Sequence, residues 1–221
     1  MKRTLLLFAI GTALFASCQS DPKADNAQTG EAQQVTAPAG GTSYKADLAQ
    51  SRVEWTGTKP VGQHHGSLTL KDGGLTVDNN TITGGNFTID MTSLKVLDKD
   101  TNGTSKLAGH LSSGDFFDVA KHPTAAFEIT SVKAGVDSAA GKELVMKDAT
   151  HTVTGNLTLK GVTKSVTFPA KIAVNDAMAT ADANFNIDRT QWGLVYGNDQ
   201  SLGDKFIRPT VNIQLHLVAN K

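Results

Sequence analysis

FIRPTVNIQLHLV, residues Phe206–Val218, alternates apolar and polar residues with a period of two. One set comprises Ile207, Pro209, Val211, Ile213, Leu215 and Leu217, and the other comprises Arg208, Thr210, Asn212, Gln214 and His216. Successive side chains of a β-strand point to opposite faces, so this stretch predicts a strand with one buried face and one solvated face. Such one-sided strands are typical of antiparallel sheets.

The same alternation recurs along most of the chain, in NFTIDM, AFEIT, TVTGNLTLK and VTFPAKIAV, which are residues 86–91, 126–130, 152–160 and 166–174. Clusters of Gly, Asn or Asp separate the runs, as tight reversals require. They predict turns at residues 71–74, 77–81, 139–143, 159–164 and 175–177. The sequence therefore predicts an all-β domain of antiparallel strands.

The shared apolar face of these strands must either stack on a second sheet or close on itself. A strand of roughly 12 residues, such as Phe206–Leu217, spans about 40 Å at roughly 3.3 Å per residue, which is long for a compact sandwich. We therefore predict an extended barrel. A barrel of about eight strands has an interior just wide enough to hold one small ligand.

One segment, KLAGHLSSGDFFDVAKHPTAAFEIT at Lys106–Thr130, interrupts the strand pattern. Leu107 and Leu111 have the spacing of one helical face, and Gly114 stands where a helix would end. Two adjacent phenylalanines follow the glycine. The sequence predicts one short helix inserted between strands.

Residues 1–17 have the organisation of a secretory signal, with Lys2 and Arg3, an apolar run and then small residues. The apolar run Leu5–Phe15 is shorter than the roughly 20 residues that a membrane-spanning helix needs. LFASC, residues 14–18, resembles the bacterial lipobox, in which the cysteine is lipidated, although Phe15 stands where leucine is more common. The alternative is an ordinary signal peptide with a chance cysteine at Cys18.

Residues 18–41 contain one large aliphatic residue, Val35, and are otherwise polar or small. Such a segment cannot bury enough apolar surface to offset the entropy of ordering it, so it predicts a flexible tether. Residues 42–221 remain for one folded domain. Cys18 is the only cysteine in the chain, which excludes an intrachain disulfide.

The charge balance argues against a nucleic-acid partner. The chain carries 21 basic and 21 acidic residues without a basic cluster, whereas nucleic-acid binding depends on neutralising phosphates. The six histidines are scattered and lack a metal-binding spacing. His64 and His65 are adjacent and are expected to point to opposite faces of a strand, so we predict no metal site.

The sequence also lacks a recognisable catalytic motif, because Gly-x-Ser-x-Gly does not occur. His110, Ser112, Ser113 and Asp115 superficially resemble a catalytic triad. All four lie in one short segment, whereas catalytic triads are assembled from distant elements. We expect capping roles for them and predict no catalytic residue.

Four alanines stand at alternate positions in AMATADANFNI, residues 177–187, in register with Phe185 and Ile187. Two interpretations stay open for these small side chains on a buried face. They accommodate bulky residues from across the barrel, or they leave a cavity for an elongated apolar guest. Such a guest would gain roughly 0.8 kcal/mol for each CH₂ group transferred from water.

Six blocks between Ser51 and Val218 resemble the YceI-like family: VEWTGTKPVGQHHGSLTL, GGNFTIDMTSLKVLD, KLAGHLSSGDFFDVAKHPTAAFEITSV, VTGNLTLKGVTKSVTFPAKI, IDRTQWGLVYG and LGDKFIRPTVNIQLHLV. The family usually has one histidine between glycines, where this chain has two at Gly62–Gly66. The resemblance implies an extended, lipocalin-like antiparallel barrel, secreted or periplasmic. It implies a bound long apolar molecule such as a polyisoprenoid, an isoprenoid quinone or a fatty amide.

The resemblance also implies that the short helix helps to close one end of the barrel, with Phe116 and Phe117 between the helix and the cavity. We expect a carrier of a long-chain isoprenoid or similar lipid, with no other cofactor and no catalytic step. The residues expected to line the cavity are Trp55, Phe87, Ile89, Leu111, Phe116, Phe127, Ile129, Phe168, Phe185, Ile187, Trp192 and Ile213.

Lipidated Cys18 would attach the carrier to a membrane of the bacterial cell envelope, on the periplasmic side or at the outer membrane. The sequence leaves open whether the protein forms a homodimer. The alternative function is a structural or stress-response barrel with a filled core and no cargo. A third, an isoprenoid-modifying enzyme, needs catalytic groups that the sequence does not supply.

Overall fold

The computed structural model describes residues 20–38, 40–99, 101–136 and 143–221. The predicted signal peptide and the predicted lipidation site, Cys18, lie outside these ranges, as does most of the predicted turn at 139–143. Those features therefore stay predictions.

Strands dominate the described fold, with one α-helix inserted after the sixth strand. In chain order the elements are β1 (Asp25–Asn26), β2 (Gln28–Glu31), β3 (Thr42–Ala46), β4 (Arg52–Thr58), β5 (Gln63–Asp78), β6 (Thr81–Val96), α1 (Thr101–Ser112), β7 (Thr124–Ala134), β8 (His151–Leu159), β9 (Val162–Val174), β10 (Met178–Asp188) and β11 (Thr210–Asn220). Two short 3-10 segments, Arg189–Trp192 and Gln200–Lys205, lie between β10 and β11.

The strands β3 to β11 close into one antiparallel barrel. β3 and β4 are successive parts of one strand position, because both pair with β5 on one side and with β11 on the other. From β5 onwards each strand pairs with the next in sequence up to β11. The barrel thus has 8 strand positions, which confirms the predicted all-β antiparallel barrel with one inserted helix.

The two ends of the barrel are built differently. At the helix end, the chain leaves the sheet through turns at 59–62 and 160–161, through α1 and through the connection 189–209. At the far end, it reverses through tight turns at 79–80 and 175–177 and through the connection between β7 and β8. Asn79 and Asn80 have φ of 49° and 59°, a left-handed conformation that asparagine tolerates. The turn predicted at 77–81 is therefore confirmed.

Packed side chains close the far end. Tyr44, Val77, Ala179 and Ala219 are at most 4% exposed and belong to one apolar cluster. The Tyr44 hydroxyl donates to the carbonyl oxygen of Asn175 at 2.9 Å. This hydrogen bond ties β3 to the turn between β9 and β10.

The helix α1 lies against the opposite end. It ends just before Gly114, as predicted, but it begins at Thr101, before the apolar periodicity that starts at Leu107. Its first turn is polar, so no periodicity could indicate it. Leu111 and Phe116 are buried in one cluster with side chains of β6. Within the described ranges, no helix combines the length and apolar character needed to cross a bilayer.

The predicted turn at residues 71–74 is wrong, because these residues lie inside β5. The glycines there serve close packing. A Cβ at Gly73 would lie 2.5 Å from Phe87 Cδ1, and one at Gly74 would lie 2.8 Å from the Tyr44 carbonyl oxygen. Glycine within a strand often marks such a close approach and not a reversal.

The predicted flexible tether also differs from the structure. Over Asp25–Glu31 the chain is hydrogen-bonded to the barrel: β1 pairs in parallel with β10, and β2 pairs antiparallel with β9. The direct pairing of β9 with β10 starts where Val174 faces Ala179 and ends where Ala170 faces Ala183. Beyond that point the two strands separate. The polar segment docks because backbone groups, which composition does not report, find open strand edges at this gap.

Candidate functional site

An elongated cavity of about 240 Å³ occupies the interior of the barrel. Inward-facing side chains of β4 to β11 surround it, together with residues after α1 and in the connection 189–209. Along β11 the lining runs from Val211 to Leu217, which is about 20 Å at roughly 3.4 Å per residue. The volume is slightly below the ~300–1,000 Å³ of usual ligand pockets. The cavity is therefore long and narrow.

The lining is apolar except at one end. Leu, Ile, Val, Phe, Ala and Met side chains form most of the wall, and Arg189 and Arg208 are the charged residues among them. Trp55 lines the wall near Gly66, where a Cβ would meet the indole ring at 2.5 Å. The Trp55 Nε1 atom is buried and has no hydrogen-bond partner among the described residues. It is one donor that a bound molecule could use.

Eleven of the twelve residues predicted from the sequence lie in this wall. They are Trp55, Phe87, Ile89, Leu111, Phe116, Phe127, Ile129, Phe168, Phe185, Ile187 and Ile213. They come from six strands and from the segment around α1, so the fold brings together residues that are far apart in the chain. Their contact with a ligand stays a prediction.

Trp192 is the exception, and its assignment to the lining is wrong. It is 0% exposed and packs in the second apolar cluster with residues of β8, β9 and β10. Its indole Nε1–H donates to the Leu157 carbonyl oxygen at 2.9 Å. The residue lies in a 3-10 turn after β10, outside the alternation that orients strand side chains, so the sequence pattern could not place it.

Some of the alternating alanines line the cavity and others pack closely, so each of the two interpretations holds for part of the row. Ala181 and Ala183 line the cavity, where their small side chains leave space. Ala179 is fully buried in the packed far end, and Ala177 is exposed in the turn before β10. Small residues thus widen the middle of the barrel and tighten its far end.

Non-sheet segments bound the cavity at the helix end. Leu111, Phe116 and Phe117 contribute from α1 and the residues after it, and Leu194 and Ile207 contribute from the connection 189–209. An aromatic cluster joins the two segments. The His110 ring centroid is 5.1 Å from Phe116 and 4.8 Å from Tyr196, both edge-on, and Phe116 is 5.2 Å from Tyr196.

Arg189 organises the connection 189–209 from inside. It is 4% exposed, and its guanidinium donates to the carbonyl oxygens of Leu194, Tyr196, Ile207 and Arg208. Burial lowers the pKa of the guanidinium, and Asp188 partly opposes that shift. The sequence pattern did not predict this structural role, because the partners of Arg189 are backbone carbonyl groups.

The same connection explains why β11 starts late. Residues 206–209 were expected to be the first part of the strand, but β11 begins at Thr210. Pro209 has no N–H to give to a ladder, and its carbonyl oxygen accepts from Arg189 N at 3.0 Å. Ile207 still contributes to the cavity wall.

Two phenylalanines stack across the gap between β9 and β10. The rings of Phe168 and Phe185 are 4.0 Å apart and inclined by 11°, and Phe127 lies 5.9 Å from Phe168. Offset stacking of this kind stabilises by about 0.5–1.5 kcal/mol beyond area burial. The apolar wall therefore stays continuous where the direct pairing of the two strands ends.

The polar residues that superficially resemble a catalytic triad serve local structure. Ser113 donates to the His110 carbonyl oxygen in the last turn of α1 at 2.7 Å, which confirms a capping role for this residue, whereas Ser112 donates to the Ala108 carbonyl oxygen inside the helix at 2.9 Å. His110 Nε2 lies 2.9 Å from an oxygen of Asp115. None of these polar residues lines the cavity.

His64 and His65 both reach Asp98, although a regular strand would point them apart. Their Nδ1 atoms lie 2.6 and 3.1 Å from its two carboxylate oxygens. Burial raises the pKa of Asp98, but hydrogen bonds from His64 and from the His65 backbone outweigh it and lower the pKa overall. Within the described ranges, no group of three or more His, Cys, Asp or Glu side chains is placed to hold a metal ion.

Comparison with known sequences identifies relatives over most of the chain. A model of the YceI-like domain matches residues 44–219. A UPF0312 protein of Pseudomonas aeruginosa (strain LESB58) is 34% identical over 175 residues, which are 78% of this chain and 73% of that protein. Protein YceI of Escherichia coli O6:H1 is 45% identical over 87 residues, which are 39% of this chain and 36% of that protein.

Two solved structures have the same fold. Burkholderia cenocepacia BcnA aligns with a TM-score of 0.57 at 24% identity, covering 79% of this chain and 99% of BcnA. A polyisoprenoid binding domain from Saccharophagus degradans, implicated in plant cell wall breakdown, aligns with a TM-score of 0.57 at 16% identity, covering 80% and 97% of the two chains. At these identities the likeness shows the fold alone.

Proposed function

Because this chain belongs to the YceI-like domain family, we propose that it binds one long-chain isoprenoid or similar lipid inside its barrel. The observation that carries the proposal is the shape of the cavity, whose lining follows about 20 Å of the tilted strand β11 and is apolar along its walls. The polyisoprenoid binding domain of the same fold supports this class of ligand.

The dimensions favour a single flexible chain over a bulky ring system. Each CH₂ group that leaves water for the cavity contributes roughly 0.8 kcal/mol, so a chain along the whole axis binds without many polar contacts. Ala181 and Ala183 provide width midway along the wall. The end with Arg189, Arg208 and Trp55 is the place for any polar group of the ligand.

The ligand enters at the helix end. The far end is closed by side chains that are at most 4% exposed, whereas the helix end is bounded by α1, its following residues and the connection 189–209. Segments outside the sheet ladder open at lower free energy than a packed sheet. The cavity wall also favours a carrier over a structural barrel with a filled core, because a filled core would leave no elongated space.

We propose that the protein acts without a catalytic step. The charged cavity residues are two arginines, and the Arg189 guanidinium is occupied by four backbone carbonyl groups. General acid–base or nucleophilic chemistry needs a titrating or nucleophilic group beside the substrate. The apolar wall supports binding and transport in place of turnover.

We also propose that Cys18 is lipidated and holds the carrier on a membrane of the bacterial cell envelope. The support is the lipobox-like LFASC after a signal-like start. Intact mass of the membrane-extracted protein tests it, because acylation adds the mass of the acyl groups and the Cys18→Ser variant cannot carry them.

Native mass spectrometry of protein made in bacteria tests the cargo. We expect an apolar adduct on the parent chain and its loss in Phe127→Asp, which places a carboxylate in the apolar wall at a cost of several kcal/mol. Ala126→Asp is the matched control, since its side chain is exposed on the outer face of the same strand, and it should keep the adduct.

A folded Phe127→Asp variant that retains its lipid would contradict the proposal. If that variant fails to fold, Ala183→Leu provides an uncharged test, because the larger side chain fills the middle of the cavity. We expect it to fold and to exclude the long-chain adduct. Solvent extraction and lipid identification from the parent protein then give the chemical class of the cargo.

A further inference from the structure

The segment before the barrel, residues 20–38, forms an N-terminal strap on the outside of the sheet. It starts at the helix end, where the Thr210 hydroxyl donates to Asp21 at 2.9 Å and Arg208 Nε lies 3.7 Å from the same carboxylate. Thr210 is the first residue of β11. The strap therefore begins beside the entrance of the cavity.

Asn186 of β10 fixes the next part of the strap. The residue is only 4% exposed. Its side-chain amide donates to the carbonyl oxygens of Pro22 and Ala24 at 2.9 and 3.4 Å. The Asn186 carbonyl oxygen accepts from Ala27 N at 2.9 Å. The backbone on both sides of β1 is thus bonded to one buried amide residue.

The strap then crosses the outer face of the barrel. Gln33 and Asn156 of β8 exchange two hydrogen bonds at 2.8 and 2.7 Å, and Glu31 pairs with Lys164 of β9. Pro38 lies against Gly84 of β6, where a Cβ would meet it at 2.7 Å. The strap therefore starts at the helix end, crosses the outer face of the barrel and ends at the start of β3.

This route limits where residue 18 can lie. Three residues separate Cys18 from Asp21, and a fully extended chain covers at most about 3.6 Å per residue. The chain between residue 18 and Asp21 therefore spans at most about 11 Å. A flexible tether of more than twenty residues would have allowed any orientation of the barrel. The docked strap leaves only a short lead, which is the stretch of chain between residue 18 and Asp21.

The same end carries the most exposed apolar side chains of the described residues. The rim is defined here as Val61, Leu97, Val195, Tyr196 and Leu202, whose exposed fractions are 70, 48, 53, 44 and 44%. They belong to the turn 59–62, the residue after β6 and the connection 189–209. Exposed apolar side chains clustered at one site often mark a membrane or protein contact.

We propose that the helix end of the barrel docks on a lipid bilayer, with the rim in the interfacial region and the strap holding residue 18 beside the cavity entrance. This inference rests on the proposed function, since lipid cargo and a lipid-bearing Cys18 give the bilayer as the occupant of this surface. The cavity then opens towards the membrane, and an apolar ligand passes between the two without crossing bulk water.

Charge is not the attractive force in this geometry. The rim segments hold cations such as Lys59, Lys99 and Lys205 together with anions such as Asp199 and Asp204. Interactions of exposed charges are screened within about 8 Å at physiological ionic strength. Docking should therefore persist on neutral vesicles and in added salt.

The orientation can be tested with tryptophans at the two ends. The chain from Cys18 onwards is coupled through its only cysteine to a maleimide phospholipid on phosphatidylcholine vesicles whose acyl chains are brominated. Leu202→Trp adds an emitter at the rim, and Asp176→Trp adds one in the exposed turn at the far end. We expect bromine to quench most of the added emission at 202 and none of that at 176.

An insertion tests the part played by the strap. Eight Gly and Ser residues between positions 19 and 20 lengthen the lead without altering the folded residues, and the difference between the two emitters should shrink. The same insertion between positions 39 and 40 is the matched control, because it follows the strap and leaves the lead short. It should preserve the full difference.

Equal quenching at both positions, quenching at 176 alone or no quenching at either would overturn the docking proposal. An unchanged difference after the insertion at 19–20 would overturn the role of the strap. Chemical coupling at Cys18 makes the result independent of acylation in the cell, and the adduct mass reports the cargo separately. A failure of orientation is thus distinguishable from a failure of the proposed function.

Discussion

The two ends of this barrel reach closure by different physical means. At the far end, side chains of the sheet itself meet, as Tyr44, Val77, Ala179 and Ala219 do. At the helix end, inserted segments cover the opening, and a buried guanidinium and an aromatic cluster hold them. One end is therefore closed by packed side chains of the sheet itself, and the other by inserted segments held by both apolar packing and hydrogen bonds from a buried guanidinium. We proposed the entrance at the helix end because such segments open without breaking the barrel.

The strongest test of this difference removes the guanidinium of Arg189. In Arg189→Met, four carbonyl oxygens lose their buried donor, and we expect the free energy of unfolding to fall by about 3–5 kcal/mol, since a buried acceptor left without a donor costs about 1–3 kcal/mol. Hydrogen exchange should also accelerate over residues 194–208 and not at the far end. Arg52→Met is the control, because Arg52 is exposed and pairs with the exposed Glu54. Uniform acceleration at both ends would contradict a local role.

A pair of matched substitutions compares packing at the far end with the open cavity. Ala179→Leu inserts three heavy atoms where the parent residue is 0% exposed, and we expect a loss of about 1–3 kcal/mol in stability. Ala183→Leu makes the same change beside the cavity, where space exists, so its stability loss should be smaller. Urea denaturation of the two variants gives the comparison. Equal losses would show that the two alanines have similar surroundings.

A smaller effect is expected at the hydrogen bond that ties β3 to the far-end turn. Tyr44→Phe keeps the ring but removes the donor to Asn175, which should cost about 1 kcal/mol. Lipid binding should stay unchanged, because Tyr44 does not line the cavity. Denaturation and native mass spectrometry measure the two quantities. Loss of the adduct in this variant would show that the far end takes part in binding.

The smallest expected effect concerns pH at the helix end. The pKa of Asp98 is lowered in the folded state, so the contribution of its carboxylate is fully present above the ordinary value of about 3.9. That contribution is lost as the pH falls through the lower folded pKa, because the protonated carboxyl no longer accepts from His64 and His65. The change should stay below about 1 kcal/mol. Asp98→Asn should remove this acid dependence in denaturation curves, whereas an unchanged slope would contradict it.

The sequence predicted the barrel and most of its lining because alternation is a local property. Phe127, Phe168 and Ile213 stand at inward positions of clean period-2 runs, and all three line the cavity. Trp192 could not be placed in this way, since a 3-10 turn does not share the strand period. Arg189 was missed because its partners are backbone carbonyl groups, which leave no pattern in the side chains.

The polar strap shows the same limit from another direction. Composition predicted a flexible tether for residues 18–41, because few apolar groups are available to bury there. The structure instead pairs Asp25–Glu31 with strand edges that β9 and β10 leave open. Every residue except proline carries backbone donors and acceptors whatever its side chain. Docking of a polar segment therefore depends on where an unpaired edge lies, and that position is known only after the barrel has closed.

The sequence by itself determined the fold class, the inward face of each regular strand and the apolar character of the interior, because these depend on neighbours along the chain. The tertiary structure decided how each end is closed and which outer surface the N-terminal strap occupies. Those features depend on strand register, on the separation of β9 from β10 and on backbone carbonyl groups that accept from side-chain amides more than a hundred residues away in the chain. The spacing of residues along a sequence does not specify which distant groups come into contact.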